Sequence, residues 1–387
     1  MRRKLFEVQI CFFLILLFLS ITLVPNVLFG SKRNLQPRDN TKKVITLASQ
    51  SGSENIFINN NWSTIVNRYN WCNGSGTKND PYVIKDIYFT KGTSITIKNT
   101  LEHFKICNCT FFNCNRGIRL ENVSNGVILN NNFTNTYGFA LKLDNCYNLS
   151  FSSNLIYNSK SSPIVIDSSI YVNISRNFID IEEANDGICF EDVNYSHIEY
   201  NIVNFRSGAY KIYLDHSNHN VILNNSLITI GGNGLRLYSS SFNLISNNLF
   251  KDDDLAIDLS MRSNNNTVIY NEIKTEGQGM YFYYSNLNNV SFNYIKAHGG
   301  IYLYYSNKSL ILNNTIYYNK WGYIDECHCV NNTILGNIYI SIRIPTPIDL
   351  SFLYDLLIVI SIVALAATGA VVYYLRIRKR KLEKEIK

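Results

Sequence analysis

An asparagine returns every 21 to 24 residues through most of this chain: Asn131, Asn154, Asn177, Asn201, Asn225, Asn248, Asn271, Asn293, Asn314 and Asn337. A period of that length requires a stacked architecture, in which each repeat buries its apolar face only against its neighbours. An apolar residue stands three before each asparagine and another two after, as in Ile174, Asn177 and Ile179 or Val290, Asn293 and Ile295. That spacing describes one coil of a parallel β-helix, repeated about ten times.

A glycine opens the constant part of the repeat. Gly117, Gly187, Gly234, Gly279 and Gly300 each precede a ladder asparagine by 14 residues. Two inward apolar residues follow each glycine, such as Ile118 and Leu120 or Met280 and Phe282, with an outward residue between them, as strand geometry demands. Stacking these residues builds apolar columns in which each buried side chain contributes roughly 1.5 to 3 kcal/mol. The asparagine is expected at a sharp turn, in a left-handed conformation it tolerates well, with its amide bonded to the coils above and below. Cys109 holds the same register one coil earlier. These positions are therefore read as a structural column and not as catalytic residues.

The ends differ from the repeat. Residues 1–30 start basic and carry an uncharged apolar run from Val8 to Val24, as in a signal peptide or signal anchor. Residues 31–43 are read as a linker, 44–91 as a cap and lead-in, 92–345 as the β-helix and 346–355 as a second linker. Leu356 to Leu375 is an uncharged run long enough to cross a membrane, and residues 376–387 form a basic tail. The positive-inside rule places that tail in the cytosol and the β-helix outside the cell. The net charge of +7 is concentrated at these ends, so it is not a nucleic-acid footprint. Export permits disulfides, and the group Cys72, Cys107, Cys109 and Cys114 is the expected place for one. Fourteen Asn-x-Ser/Thr triplets, including Asn194 and Asn307, are possible glycosylation sites.

The units Gly300-Ile-Tyr-Leu-Tyr-Tyr-Ser and Leu310-Ile-Leu-Asn-Asn-Thr-Ile316 carry a resemblance that covers about residues 70 to 340. The chain resembles the right-handed, single-stranded parallel β-helices of the pectin-lyase-like superfamily. It looks most like NosD-type and carbohydrate-binding or sugar-hydrolase repeats of prokaryotic surface proteins. The resemblance implies an all-β fold with ligands along the outer face of the strand that follows the glycine. It also implies a role in carbohydrate binding, in polysaccharide cleavage or, as in NosD, in handling metal.

On that face five carboxylates follow one another in register: Glu121, Asp144, Asp167, Glu191 and Asp215. At about 4.8 Å per coil they repel one another, by roughly 1 kcal/mol per neighbouring pair even in water. Arg119 and Lys142 are expected to compensate the first two, and calcium is a reasonable partner for the rest. The alternative is that each acid caps the turn behind its strand. Further along, Tyr238, Tyr283 and Tyr304, with Tyr213, Tyr281 and Tyr302 beside them, offer aromatic faces for sugars or else ordinary cross-strand packing.

The variable loop side carries Lys160, Glu182, Glu183, Arg206, Lys320 and a set with hydrolytic character, Asp252, Asp253, Asp254, Glu276 and His298. A glycosidase needs two carboxyl groups at a defined separation. Against polygalacturonase-like enzymes the match fails: the Asn-Thr-Asp motif is absent, and only Ala297-His298-Gly299 stands for Gly-His-Gly. The Arg-Ile-Lys counterpart, Arg376-Ile377-Arg378, falls in the tail. A solvated charged loop face is the plainer reading. Cys327-His328-Cys329 resembles a fragment of a metal site but lacks the further ligands a closed zinc site needs. The expectation is a membrane-anchored surface protein that binds carbohydrate or a partner protein. Its competitors are a polysaccharide hydrolase or lyase and a metal-handling accessory protein.

Overall fold

The computed structural model describes residues 50–341, apart from 53, 54, 93, 230 and 319–321. It is a right-handed parallel β-helix of about 11 turns. One coil runs Ile118–Val123, Gly126–Leu129 and Asn132–Thr134 before Leu141–Asp144 begins the next. These three strand positions are the first, second and third faces of the rod. The second face is a 13-stranded sheet, whereas the first and third belong to one 23-stranded sheet. In the middle of the rod a third-face strand and the first-face strand after it fuse, giving the 14-residue strands Phe178–Glu191 and Ile202–Asp215.

Register turns the sequence repeat into columns. On the first face Ile118, Leu141, Ile164, Ile188, Ile212 and Leu235 lie in line and are completely buried. On the third face Phe89, Phe111 and Phe133 stack with centroids 4.7 and 4.6 Å apart. Backbone approach between coils explains the glycines. A Cβ on Gly234 would lie 2.3 Å from the carbonyl oxygen of Ala256 in the next coil, so any side chain there would push two coils apart.

The asparagine ladder forms as expected. The Asn177 N–H donates to Asn201 Oδ1 at 3.0 Å, and Asn177 Nδ2 donates to the same oxygen and to the Phe151 carbonyl. The pattern repeats coil by coil from Cys109, whose N–H donates to Asn131 Oδ1, to Asn337. One detail is corrected. The left-handed residue is not the ladder asparagine but the residue before it, including Arg176 (φ 54°), Tyr200 (φ 56°), Tyr270 (φ 55°) and Phe292 (φ 57°). Rotating that residue out of the strand lets the following amide point inward, where it closes backbone groups of neighbouring coils.

The cysteine expectation is also corrected. Cys72, Cys107, Cys109, Cys146, Cys189, Cys327 and Cys329 are free thiols. Several take places that Ser or Asn hold in other coils: the Cys146 N–H donates to Ser169 Oγ, and Cys146 Sγ donates to the Leu120 and Asp144 carbonyls. The Cys146 and Cys329 thiols thus point to carbonyls of the preceding coil and of their own turn, and not to another thiol.

At the amino-terminal end a short helix, α1 (Trp62–Arg68), buries Trp62 and Ile65 over the first coil. The Trp62 ring stacks on Tyr82 at 4.7 Å, and its Nε1 donates to Thr100 Oγ1 at 3.0 Å. Gln50–Gly52 and Ile56–Asn59 already pair with Ile87–Thr90 and Ile95–Thr100, so cap and first coil overlap. The apolar segments 8–24 and 356–375 lie outside the described residues, within which no helix is long and apolar enough to cross a membrane.

Candidate functional site

The outer side of the first face presents two parallel columns. One runs through Glu121, Asp144, Asp167, Glu191, Asp215, Tyr238, Ser260, Tyr283 and Tyr304. Beside it lie Arg119, Lys142, Val165, Cys189, Tyr213, Arg236, Asp258, Tyr281 and Tyr302. Strand alternation sends both outward while their apolar neighbours enter the core.

The first coils of this face are a charge ladder. Glu121 pairs with Lys98 Nζ at 2.6 Å and Arg119 Nη2 at 3.3 Å, and Asp144 with Arg119 Nη2 at 3.1 Å and Lys142 Nζ at 3.4 Å. The hydrogen bond from Lys98 holds the Glu121 carboxyl below its ordinary range. Lys98 comes from the preceding coil and was not among the expected partners. Asp167 accepts from Ser168 Oγ at 2.7 Å, and Asp215 from the Tyr213 hydroxyl at 3.1 Å. Among the described residues no three His, Cys, Asp or Glu side chains converge as a cation site would need.

The middle of the face is built differently. Arg236 lies over the Tyr210 and Tyr238 rings, at 5.4 and 5.3 Å, with its Nε 3.3 Å from Asp258 Oδ2. The Tyr210 hydroxyl donates to the same oxygen at 3.2 Å, and the Ser260 hydroxyl donates to Oδ1. Asp258 is only 5% exposed, and burial raises its carboxyl above the ordinary range against the pull of Ser260, Arg236 and Tyr210. Burial, reinforced by Asp258, pushes the Tyr210 hydroxyl up to about 12. Asp186, raised by burial, accepts the Tyr210 N–H at 3.1 Å. Cys189 is pushed up to about 12, first by burial and then by Asp186, Glu191, Asp215 and Asp167 around it.

Tyrosines take over in the later coils. Tyr281 stacks on Tyr302 at 5.6 Å and 4°, Tyr283 on Tyr304 at 5.7 Å and 9°, and Tyr284 on Tyr305 at 4.8 Å and 2°. The ring planes therefore face along the rod axis, each toward the ring of the next coil. What the surface offers is ring edges and hydroxyl groups, which suit hydrogen bonding better than the face-on stacking expected from sequence.

Residues that reached the site without a sequence signal are Tyr210, Arg236 and Asp258. Asp258 escaped for a local reason. Met261 and Arg262 are consecutive left-handed residues, so the turn in that coil holds one extra residue and the strand slips against any fixed offset from Asn271. Pairing Arg236 with Asp258 corrects the slip, but pairing is a property of the sheet.

The loop-side acids do not assemble. Asp253 turns into the core, where it pairs with Lys211; the two side chains are 0% and 1% exposed. Burial lifts the Asp253 carboxyl to about 7 in spite of Lys211, and burial also lowers Lys211. Asp252 faces out near Lys251, 3.9 Å away, while Asp254 Oδ2 accepts the Gly232 N–H at 3.1 Å. Glu276 is 89% exposed and lies 2.9 Å from His298 Nε2. Arg206 pairs with Glu182 at 3.2 Å, and Lys320 lies outside the described residues. Each of these acids thus has its own partner, and the candidate hydrolytic set Asp252, Asp253, Asp254, Glu276 and His298 is a core ion pair and a group of surface contacts.

A rod of parallel coils with a continuous polar and aromatic strip outside defines the class: a parallel β-helix. The chain belongs to the NosD family, described as periplasmic copper-binding protein (NosD), whose profile matches residues 48–229 and 204–345. The fold is similar to that of the mannuronan C-5 epimerase AlgE6 A-module of Azotobacter vinelandii, with a TM-score of 0.51 and 14% identity over 66% of this chain and 91% of that one. The DFA-IIIase of Arthrobacter chlorophenolicus A6 scores 0.42, with 17% identity over 59% of this chain and 67% of that one. A variant of the periplasmic alginate epimerase AlgG scores 0.43, with 12% identity over 75% and 84%. No curated protein matches the chain in sequence. The copper in the family description finds no fitting donor set among the described residues. In Cys327-His328-Cys329 the Cys329 thiol turns inward to the Leu303 carbonyl, while His328 stacks outside on Tyr305 at 4.7 Å.

Proposed function

We propose that this chain is a surface β-helix, held in a membrane by residues 356–375, whose first face binds an extended carbohydrate without cleaving it. The observation that carries the reading is the unbroken outward strip from Tyr210 to Tyr304, with donors and acceptors repeated at the spacing of one coil. Arg236 and the tyrosine hydroxyls supply donors, and Asp215 and the same hydroxyl oxygens supply acceptors, with Asp258 holding Arg236 and Tyr210 in place from beneath. Such an array matches the dense hydroxyl pattern of a sugar chain, and the rigid backbone beneath it keeps the ordering penalty of binding low. The likeness to the mannuronan epimerase is one of fold, so the ligand class rests on the strip. The periplasmic character of the family supports a place outside the cytoplasm, in agreement with the charge pattern of the ends. Binding of the full-length chain to a glycan array tests the proposal. Retention of neutral oligosaccharides, lost on Tyr281→Phe/Tyr302→Phe, is expected; equal binding by that variant would overturn it.

A second reading has one observation in its favour. Asp258 is a buried carboxyl with a raised proton affinity, bonded to a tyrosine hydroxyl at the outward surface, as a general acid would be. Release of shortened or isomerised sugar by the wild type, abolished in Asp258→Asn with binding retained, would replace the binding reading with catalysis.

A further inference from the structure

The second face carries a cleft that the first-face strip does not use. It encloses about 680 Å³ at the amino-terminal end of the rod. Its floor is the outer side of the sheet, with Lys105 and Val127 pointing away from the core. One wall is formed by Lys78 and Pro81 of the turn 74–81. Tyr171 and Asn148 stand at left-handed positions along the edge, at φ 56° and 54°.

Three features give this cleft a chemistry. First, Lys78, Lys105 and His103 line it, and none of the described residues lining it is acidic. Neither lysine enters an ion pair among the described residues, unlike Lys98, Arg119 and Lys142 on the first face. Second, the wall is rigid. The Ser75 and Thr77 N–H groups donate to the Asp80 carbonyl at 3.1 and 3.2 Å, and the His103 N–H donates to the Gly76 carbonyl at 2.9 Å. Lys78 therefore projects from a fixed turn tied to the strand that carries the floor. Third, Tyr171 holds a half-exposed ring at the recurring left-handed turn, braced edge-on by Tyr147 at 5.4 Å, and Asn148 Nδ2 is tied to Asn125 Oδ1 at 2.8 Å.

We propose that this cleft binds a short saccharide bearing a carboxylate. The two lysines take the anionic group, while Tyr171 and the asparagine amides take ring hydroxyls. The first face is the wrong place for such a ligand. There Asp167, Glu191 and Asp215 succeed one another, and Cys189 is held at about 12 partly by these same charges. The rod thus separates two chemistries, neutral sugar on the first face and acidic sugar on the second. This proposal does not depend on the first-face reading.

The test is titration calorimetry of the full-length chain in detergent with a hexuronate trisaccharide, its carboxyl-reduced neutral counterpart, and inorganic phosphate. The wild type is expected to bind the uronate on the order of tenfold more tightly than the reduced sugar, and binding should weaken with added salt. Lys78→Met/Lys105→Met should remove that preference, while Lys296→Met, an exposed lysine of the third face, leaves it unchanged. Two results would overturn the proposal: equal binding of the reduced sugar, or a uronate preference that survives the double lysine change. Phosphate competing as strongly as the trisaccharide would show an anion site only and would also defeat it. Circular dichroism of the variant shows that its fold is intact, since both lysines point to solvent.

Discussion

The asparagine ladder and the outer columns of the first face traverse the same coils, yet they follow opposite rules. Inside, the same residue recurs from Asn131 to Asn337 and makes the same bonds at every step. Outside, the residue type changes from carboxylate at Asp144 to tyrosine at Tyr283 within a few turns. The inner column must satisfy backbone groups that no water reaches, and an asparagine amide does this with one donor and one acceptor per coil. The outer column has water to fall back on. Its residues are free to vary in chemistry while the ladder beneath holds their spacing constant.

Five changes would break or sharpen this contrast. The largest effect belongs to the core pair. Asp253→Leu leaves the Lys211 amine in the interior without its carboxylate partner and should lower stability by about 3 to 5 kcal/mol in urea unfolding. Lys211→Met/Asp253→Leu should recover most of it, and a double variant as unstable as the single one would show that the pair is not the cause. Next comes the ladder: Asn201→Ala removes the acceptor of the Asn177 N–H and the donor to the Ile174 carbonyl, and should lower stability by about 2 to 4 kcal/mol. Asp144→Asn, one of the outer charges, should change stability by less than about 1 kcal/mol because its partners are solvent-screened.

A smaller effect depends on pH. Burial raises Asp258 above its ordinary value of 3.8, so the folded chain holds this proton more tightly than the unfolded one. Its favourable contribution is complete below that value and is lost as pH rises through the raised folded value. Unfolding midpoints measured from pH 4 upward should therefore fall more steeply for the wild type than for Asp258→Asn; parallel profiles would remove Asp258 from the account. The smallest stability change is expected of Tyr283→Phe, which keeps the ring stack with Tyr304. Thermal unfolding should be unaltered within error, while affinity for a neutral glycan on the first face falls several-fold.

Much of the fold was legible because a parallel coil writes its register into the sequence. Ile174, Asn177 and Ile179 occupy the column, ladder and column positions that their spacing indicates. The carboxylate column was legible for the same reason. The central cluster was not, because one extra turn residue near Met261 and Arg262 shifted Asp258 out of the period. The inward turn of Asp253 was not legible for another reason: consecutive Asp252, Asp253 and Asp254 read alike as a solvated loop face, although the chain points one of them into the core and the others outward. Direction within an irregular turn depends on backbone angles that residue type does not dictate.

The sequence by itself determined the solenoid, its interior columns and the places where a strand faces out, since period and alternation are properties of one chain read in order. Tertiary structure decided which residues meet across coils. Lys98 reaches Glu121, Tyr210 reaches Asp258 and Lys211 reaches Asp253 over separations of 23, 48 and 42 residues. Such contacts depend on strand slip, turn direction and the angle at which a side chain leaves the sheet, and these become fixed only when neighbouring coils close on one another.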